Sequence, residues 1–224
     1  MAVFVIASSK GGVGKSTLAL VLSQVLAHEG ADTCLIDADP NNALGSWHRA
    51  TNKLPENFSL VEETDDERVI DAIDAASDNH QFVVVDLEGS SNTTVSYAIG
   101  RADLVIIPFT GGRLDALEAV KVDRLVTVQE KNFRRKIPRV CIHSKTGYIK
   151  PRTVKEVCAQ IKETGLPVLE AELWERDAYR ALFSYGGTLW DFKTSEVSNP
   201  AEAIVNAVGV TSNILAFYKE VSNV

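Results

Sequence analysis

Three short stretches hold residue types at spacings that could do chemistry together. The first is "SSKGGVGKST", residues 8–17. Gly11, Gly12 and Gly14 let backbone N–H groups curl inward around anionic oxygens. In such a cradle Lys15 reaches the β- and γ-phosphates of a nucleotide and Ser16 turns its hydroxyl to Mg²⁺, with Val13 and Thr17 completing the loop. A helix starting there adds its positive end. Lys10, at the mouth of the loop, is a second lysine that this scheme does not need. The second stretch is "CLIDADPNN", residues 34–42, with Asp37 and Asp39 two apart. On an extended chain both point to one side. At a sheet edge such carboxylates hold a metal-bound water or position an attacking one; an Asp-Pro turn that merely ends a strand is the plainer alternative. The third is "FVVVDLEGSS", residues 82–91, an apolar run ending in Asp86. Gly89 there can bring the backbone near a γ-phosphate, as a switch segment does.

The elements that must position these residues alternate along the chain. Strands are expected at 3–8, 33–38, 58–62, 82–87, 104–109 and 139–144, and a weaker one at 167–173. Several are unbroken apolar runs, the pattern of strands covered on both faces. Helices are expected at about 16–29, 67–77, 113–131, 151–164, 176–184 and 200–221. This alternation predicts an α/β fold, a doubly wound, mostly parallel sheet flanked by helices, as one domain over residues 1–224. Ligands of such sheets sit beyond the carboxyl ends of the strands.

Here the motifs become more specific. "KGGVGKST" resembles the deviant Walker A motif of the ParA/MinD superfamily of P-loop ATPases, with Ser9 in place of the usual first glycine. The resemblance implies ATP sandwiched between two subunits, with Lys10 crossing to the partner's nucleotide, by the logic of an arginine finger in trans. "DADPN" resembles the family's D-x-D-P-Q, with Asn41 for glutamine. It implies that Asp39 promotes hydrolysis and Asp37 lies near the metal. "FVVVDLEGSS" resembles Walker B, which implies Mg²⁺ held by Asp86 through a water, together with Ser16. Glu88 departs from the small residues usual there. Pro108 and Asp115 also match family positions, and a helix-capping role for Asp115 stays open. "LWERDAYRALFSYGGTLWDF", residues 173–192, matches a late family segment at Arg176, Gly187 and Asp191, and its "ERDA" is like that of VirC1-type relatives. The family places this region near the nucleotide base and a nonspecific DNA surface. Trp174 could stack on a base; core packing is the preferred reading.

Composition narrows the partners. Net charge is −7, so DNA contact would need a local patch. Candidates are Arg134, Arg135 and Lys136 in the densest basic run, then Arg152, Arg176 and Arg180; a solvated helix end is the alternative for the run. Cys34, Cys141 and Cys158 show no zinc spacing and fit thiols in a reducing cytosol. No apolar segment is expected to approach the ~20 residues of a membrane span, so no membrane partner is expected. The resemblance implies a cytoplasmic, nucleoid-associated DNA-partition ATPase that dimerises on ATP and is stimulated by a ParB-like partner. A VirC1-like accessory ATPase of conjugative transfer and a metabolic P-loop synthetase or ligase are the alternatives.

Overall fold

The computed structural model describes residues 1–89, 93–112, 114–147 and 152–222, the side chain of Arg152 excluded. Its strands are β1 (Ala2–Ile6), β2 (Thr33–Ala38), β3 (Phe58–Glu62), β4 (Phe82–Leu87), β5 (Leu104–Phe109), β6 (Arg139–Thr146) and β7 (Leu173–Trp174). Its helices are α1 (Lys15–His28), α2 (Ala43–Ala50), α3 (Arg68–Asn79), α4 (Thr93–Arg101), α5 (Asp115–Phe133), α6 (Arg152–Glu163), α7 (Asp177–Tyr185) and α8 (Pro200–Ser222). The sheet order is β3-β2-β4-β1-β5-β6-β7, and every described pairing of these strands is parallel.

Burial explains the unbroken apolar runs. Every residue of β1, β2 and β5 is buried, because helices cover both faces. Alternate residues serve alternate faces. Phe4 and Ile6 join a core with α1, α2, α7 and α8, whereas Val3 and Val5 join one with α3, α4, α5 and α6. α1 is buried nearly all round, so its polar side chains are answered internally. Ser23 donates to the Ala19 carbonyl at 2.8 Å, and Gln24 meets Gly187 O and Leu189 N.

The expected strands at 33–38, 58–62, 82–87 and 104–109 form at those bounds. Two helices, α2 and α4, were not expected. α2 is short and carries Gly45, and α4 opens on Thr93 and Thr94 with Val95, all weak helix formers, so packing rather than propensity makes them. The expected strand at 167–173 shrinks to a bridge at Val168 and to β7. The β6–β7 register shifts between Ser144 and Thr146, which breaks the ladder.

One expectation is corrected: α8, at 23 residues, has the length and apolar composition of a membrane span. In the fold its Ala203, Ala207, Val210 and Ile214 are buried in the core. Trp174, expected in the core, is 43% exposed. Cys34 and Cys141 are buried free thiols, and burial pushes the Cys141 thiol up to about 12.

The turn after α7 fixes α2 beside it. Gly186 has φ +74°, and a Cβ there would lie 2.5 Å from the Ala50 carbonyl carbon. Gly186→Ala is expected to lower stability by roughly 1–3 kcal/mol, the cost of overpacking. A urea midpoint equal to that of the wild type would contradict this.

Candidate functional site

The loop 8–14 leaves the middle of the sheet, because β1 lies between β4 and β5. Gly12 and Gly14 have φ of +76° and +90°, conformations that leave the backbone free to turn inward. Gly14 is the N-cap of α1 and no side chain caps this helix, so its first-turn N–H groups remain available to an anion. Lys15 is buried, whereas Ser16 and Thr17 are half-buried at the same end.

Four supports hold the loop. The Ser144 hydroxyl faces the Val13 carbonyl at 2.6 Å and the Phe109 carbonyl at 3.1 Å. Ser9, the residue in the glycine position, donates its hydroxyl to Glu118 Oε2 at 2.5 Å. Lys10 Nζ meets Asp115 Oδ1 at 3.1 Å, with the lysine side chain 44% exposed and the aspartate 1%. Asp115 also accepts from Thr110 N, Thr110 Oγ1 and Gly112 N. Burial pushes its carboxyl up, but the bonds from Lys10, Thr110 and Gly112 outweigh this and hold it below the usual range. The carboxylate thus ties the turn before α5 to Lys10, and no side-chain hydrogen bond caps the start of α5, so the capping role is not what the fold gives it. The fourth support is a close approach: a Cβ on Gly89 would lie 2.9 Å from Gly11 N. The backbone after β4 therefore rests on the phosphate loop.

Parallel register gathers the acids. Asp37 pairs with Asp86 across β2–β4, and Ile6 pairs with Asp86 across β1–β4. Asp37 Oδ2 accepts from Leu44 N and Gly45 N, both at 3.0 Å, and Oδ1 accepts from Asp39 N at 3.3 Å. It caps α2, and burial still raises its carboxyl. Asp39 Oδ1 accepts from Asn41 N and Asn41 Nδ2 at 2.9 and 2.8 Å. Asp86 differs: neither of its carboxylate oxygens has a hydrogen-bond partner. Burial pushes it up to about 7; the neighbouring Ser16 hydroxyl opposes the rise, Asp37 adds to it and Lys15 opposes it. A buried carboxylate with both oxygens unanswered, beside a serine hydroxyl, suits a hard cation or its water. Among the described residues no cluster of three or more His, Cys, Asp or Glu could hold a metal alone. Mg²⁺ bound mainly through phosphate and water needs no such cage.

On the other side of Gly14 and Thr17 opens a pocket of about 270 Å³. Lys145, Trp174, Arg176, Arg180 and Phe183 also line it. The Arg176 guanidinium lies 4.7 Å from the Trp174 ring centroid and pairs with Glu202 at 2.9 Å. Arg180 pairs with Glu175. Lys145 belongs to none of the motifs in the sequence; its place here comes from the register shift in β6.

The candidate DNA residues do not share one surface. α5 starts at the phosphate loop and runs for 19 residues to Phe133, so Arg134 and Lys136 stand at the opposite edge of the sheet, about 28 Å away. Arg135 donates to Gly100 O and Ala102 O, which close the end of α4. Arg176 and Arg180 lie at the pocket. The side chain of Arg152 lies outside the described residues.

Comparison with known proteins decides the family. The family described as VirC1 protein matches residues 1–211. Protein ParA of Rhizobium radiobacter is 38% identical over 208 residues, 92% of this chain and 93% of that protein. The chain belongs to the VirC1/ParA family. Protein virC1 of Rhizobium rhizogenes is 28% identical over 185 residues, 80% of this chain and 79% of that protein. Cobyrinic acid a,c-diamide synthase of Mycobacterium smegmatis, solved with a bound ATP analog and magnesium, superposes with a TM-score of 0.71 at 14% identity, over 98% of this chain and 96% of that one. At that identity the likeness is one of fold. For this VirC1/ParA chain the α/β, doubly wound sheet of a P-loop NTPase is thus seen both in its own strands and in a distant neighbour.

The unanswered Asp86 carboxylate generates a prediction for the nucleotide- and metal-free protein. It titrates at about 7 when folded and near 3.9 when unfolded. Between these values the folded state holds the proton and the unfolded state does not, so stability falls as pH rises from about 4 to about 7. Asp86→Asn should therefore exceed wild type at about pH 8 by something on the order of 1–4 kcal/mol, with a smaller gap at about pH 5. Urea midpoints showing the same gap at both pH values would contradict this.

Proposed function

We propose that this protein is a DNA-segregation ATPase acting as one domain, in which ATP drives a homodimer that binds DNA nonspecifically. The observation that carries the reading is the second lysine. Lys10 stands at the mouth of a complete phosphate loop, and its ammonium is parked on Asp115 of its own chain. The lysine end of the pair is half-exposed and screened by water, and Asp115 keeps three other donors, from Thr110 and Gly112, when the lysine leaves. The triphosphate of a second copy, charged and partly desolvated, would outcompete it. Leu114 and Leu117, in the same first turn, are 62% and 60% exposed, an apolar flank suited to a partner's surface.

In this reading Gly11 to Thr17 and Lys15 hold the phosphates, and the base enters the pocket beside Trp174. Ser16 and Asp86 hold Mg²⁺, with Asp37 behind them fixing α2 and the loop that carries Asp39. Mg²⁺, when bound, neutralises the charge that develops on the transferred phosphoryl group. Asp39 orients the attacking water, and Lys10 from the partner completes the charge balance. Turnover is slow until a ParB-like partner stimulates it. DNA contact falls to Arg176 and Arg180, or to Arg134 and Lys136 at the far edge, and the protein works on the nucleoid in the cytoplasm. The relation to a ParA protein at 38% identity supports this cargo class.

A VirC1-like role in conjugative transfer is the second reading, favoured by the family match over residues 1–211. It shares the dimer chemistry and differs in cargo. The fold alone also admits a synthetase, as the diamide synthase neighbour illustrates. ATP turnover that depends on a small substrate, without DNA or protein, would support that.

The test uses Asp39→Ala. With ATP and Mg²⁺ this variant is expected to co-sediment with nonspecific DNA at least as well as wild type, while its turnover drops about 10²-fold or more. DNA binding that ignores ATP in both proteins would refute the proposal.

A further inference from the structure

Lys145 stands out in the pocket for its backbone. Its φ is +54°, a left-handed conformation that favours glycine over any other residue. The β6–β7 register shifts between Ser144 and Thr146, so Lys145 is the extra residue of a bulge, and its side chain is exposed. Bulges beside functional sites re-aim a side chain, and strain kept there by a residue with a Cβ points to use. Here the side chain is aimed at the loop: a Cβ on Gly14 would lie 3.6 Å from Lys145 Cε and 3.7 Å from Cγ. Ser144, next to it, is tied to Val13 at 2.6 Å, which fixes the bulge against the loop. Arg176 and Arg180 are engaged by Glu202 and Glu175, but Lys145 has no acidic partner among the described residues.

We propose that Lys145 is a nucleotide-binding residue whose ammonium takes the α-phosphate. The inference rests on the reading of this site as a nucleotide site. The loop and Lys15 serve the β- and γ-phosphates. A base in the pocket beside Trp174 and Phe183 places the α-phosphate over Gly14 and Thr17, where Lys145 ends. ATP and ADP both carry that phosphate, so Lys145 holds the nucleotide before and after hydrolysis, whereas the partner's Lys10 would act only on ATP.

The test is calorimetric titration with ADP, paired with thermal melting without nucleotide, on wild type, Lys145→Gly and Lys145→Arg. Glycine adopts the left-handed backbone freely, so Lys145→Gly should melt no lower than wild type. It should nevertheless bind ADP about tenfold more weakly, the loss of one charge-assisted contact. Lys145→Arg should stay within about threefold of wild type, because charge is kept. ADP affinity of Lys145→Gly within about twofold of wild type would overturn the inference. So would earlier melting of both variants with equal loss of affinity, the mark of a structural role. Lost DNA co-sedimentation with ADP binding intact would assign Lys145 to DNA and also overturn it. Failure of wild type itself to bind ADP would instead sink the nucleotide reading on which the inference stands.

Discussion

The parallel pairing of β1 with β4 and β5 is the constraint on which the site depends. It sends the carboxyl ends of all the strands to one edge, with the phosphate loop leaving from the middle of it. Register then does the rest. Asp86 stands beside the end of β1 and beside Asp37, so two carboxylates face a loop that carries Lys15 and Ser16. A slip of one residue would turn Asp86 to the other face of the sheet. The full burial of β1, β2 and β5 is what prevents such a slip.

The site is assembled in an unsatisfied state. Asp86 is buried with neither oxygen paired, and α1 begins without a side-chain cap. Both features cost stability in the free protein and are relieved by a ligand that brings phosphate oxygens and a cation. Other parts of the same edge are fully engaged. Asp37 spends its oxygens on α2, and Asp115 spends its own on the turn before α5 and on Lys10. The contrast separates what organises the site from what waits for a partner. Lys10 belongs between the two: bonded at home, yet exposed enough to leave.

Much of this was legible in the residues, and the limits have physical causes. The buried strands announced themselves as runs such as "FVVVDL" and "LVIIPF", because covering both faces removes alternation. The loop was legible because its glycines, lysine and serine must stand at fixed spacing. α2 and α4 were not, since Gly45 and the threonines of α4 oppose a helix that only tertiary packing makes. Trp174 was expected in the core from its bulk, but β7 is an edge strand and leaves it 43% exposed. Nor could a sequence show that Arg134 and Arg176 lie at opposite edges, that Asp37 caps a helix, or that a bulge swings Lys145 over Gly14. These depend on contacts between distant segments.

The central claim is that Lys10 acts on a second copy of the chain. Sedimentation velocity of wild type and Lys10→Ala, each without nucleotide and with ATP and Mg²⁺, tests it most directly. The account predicts monomers in both proteins without nucleotide, and with ATP a dimer in wild type alone. Lys10→Ala dimerising on ATP as wild type does would contradict it.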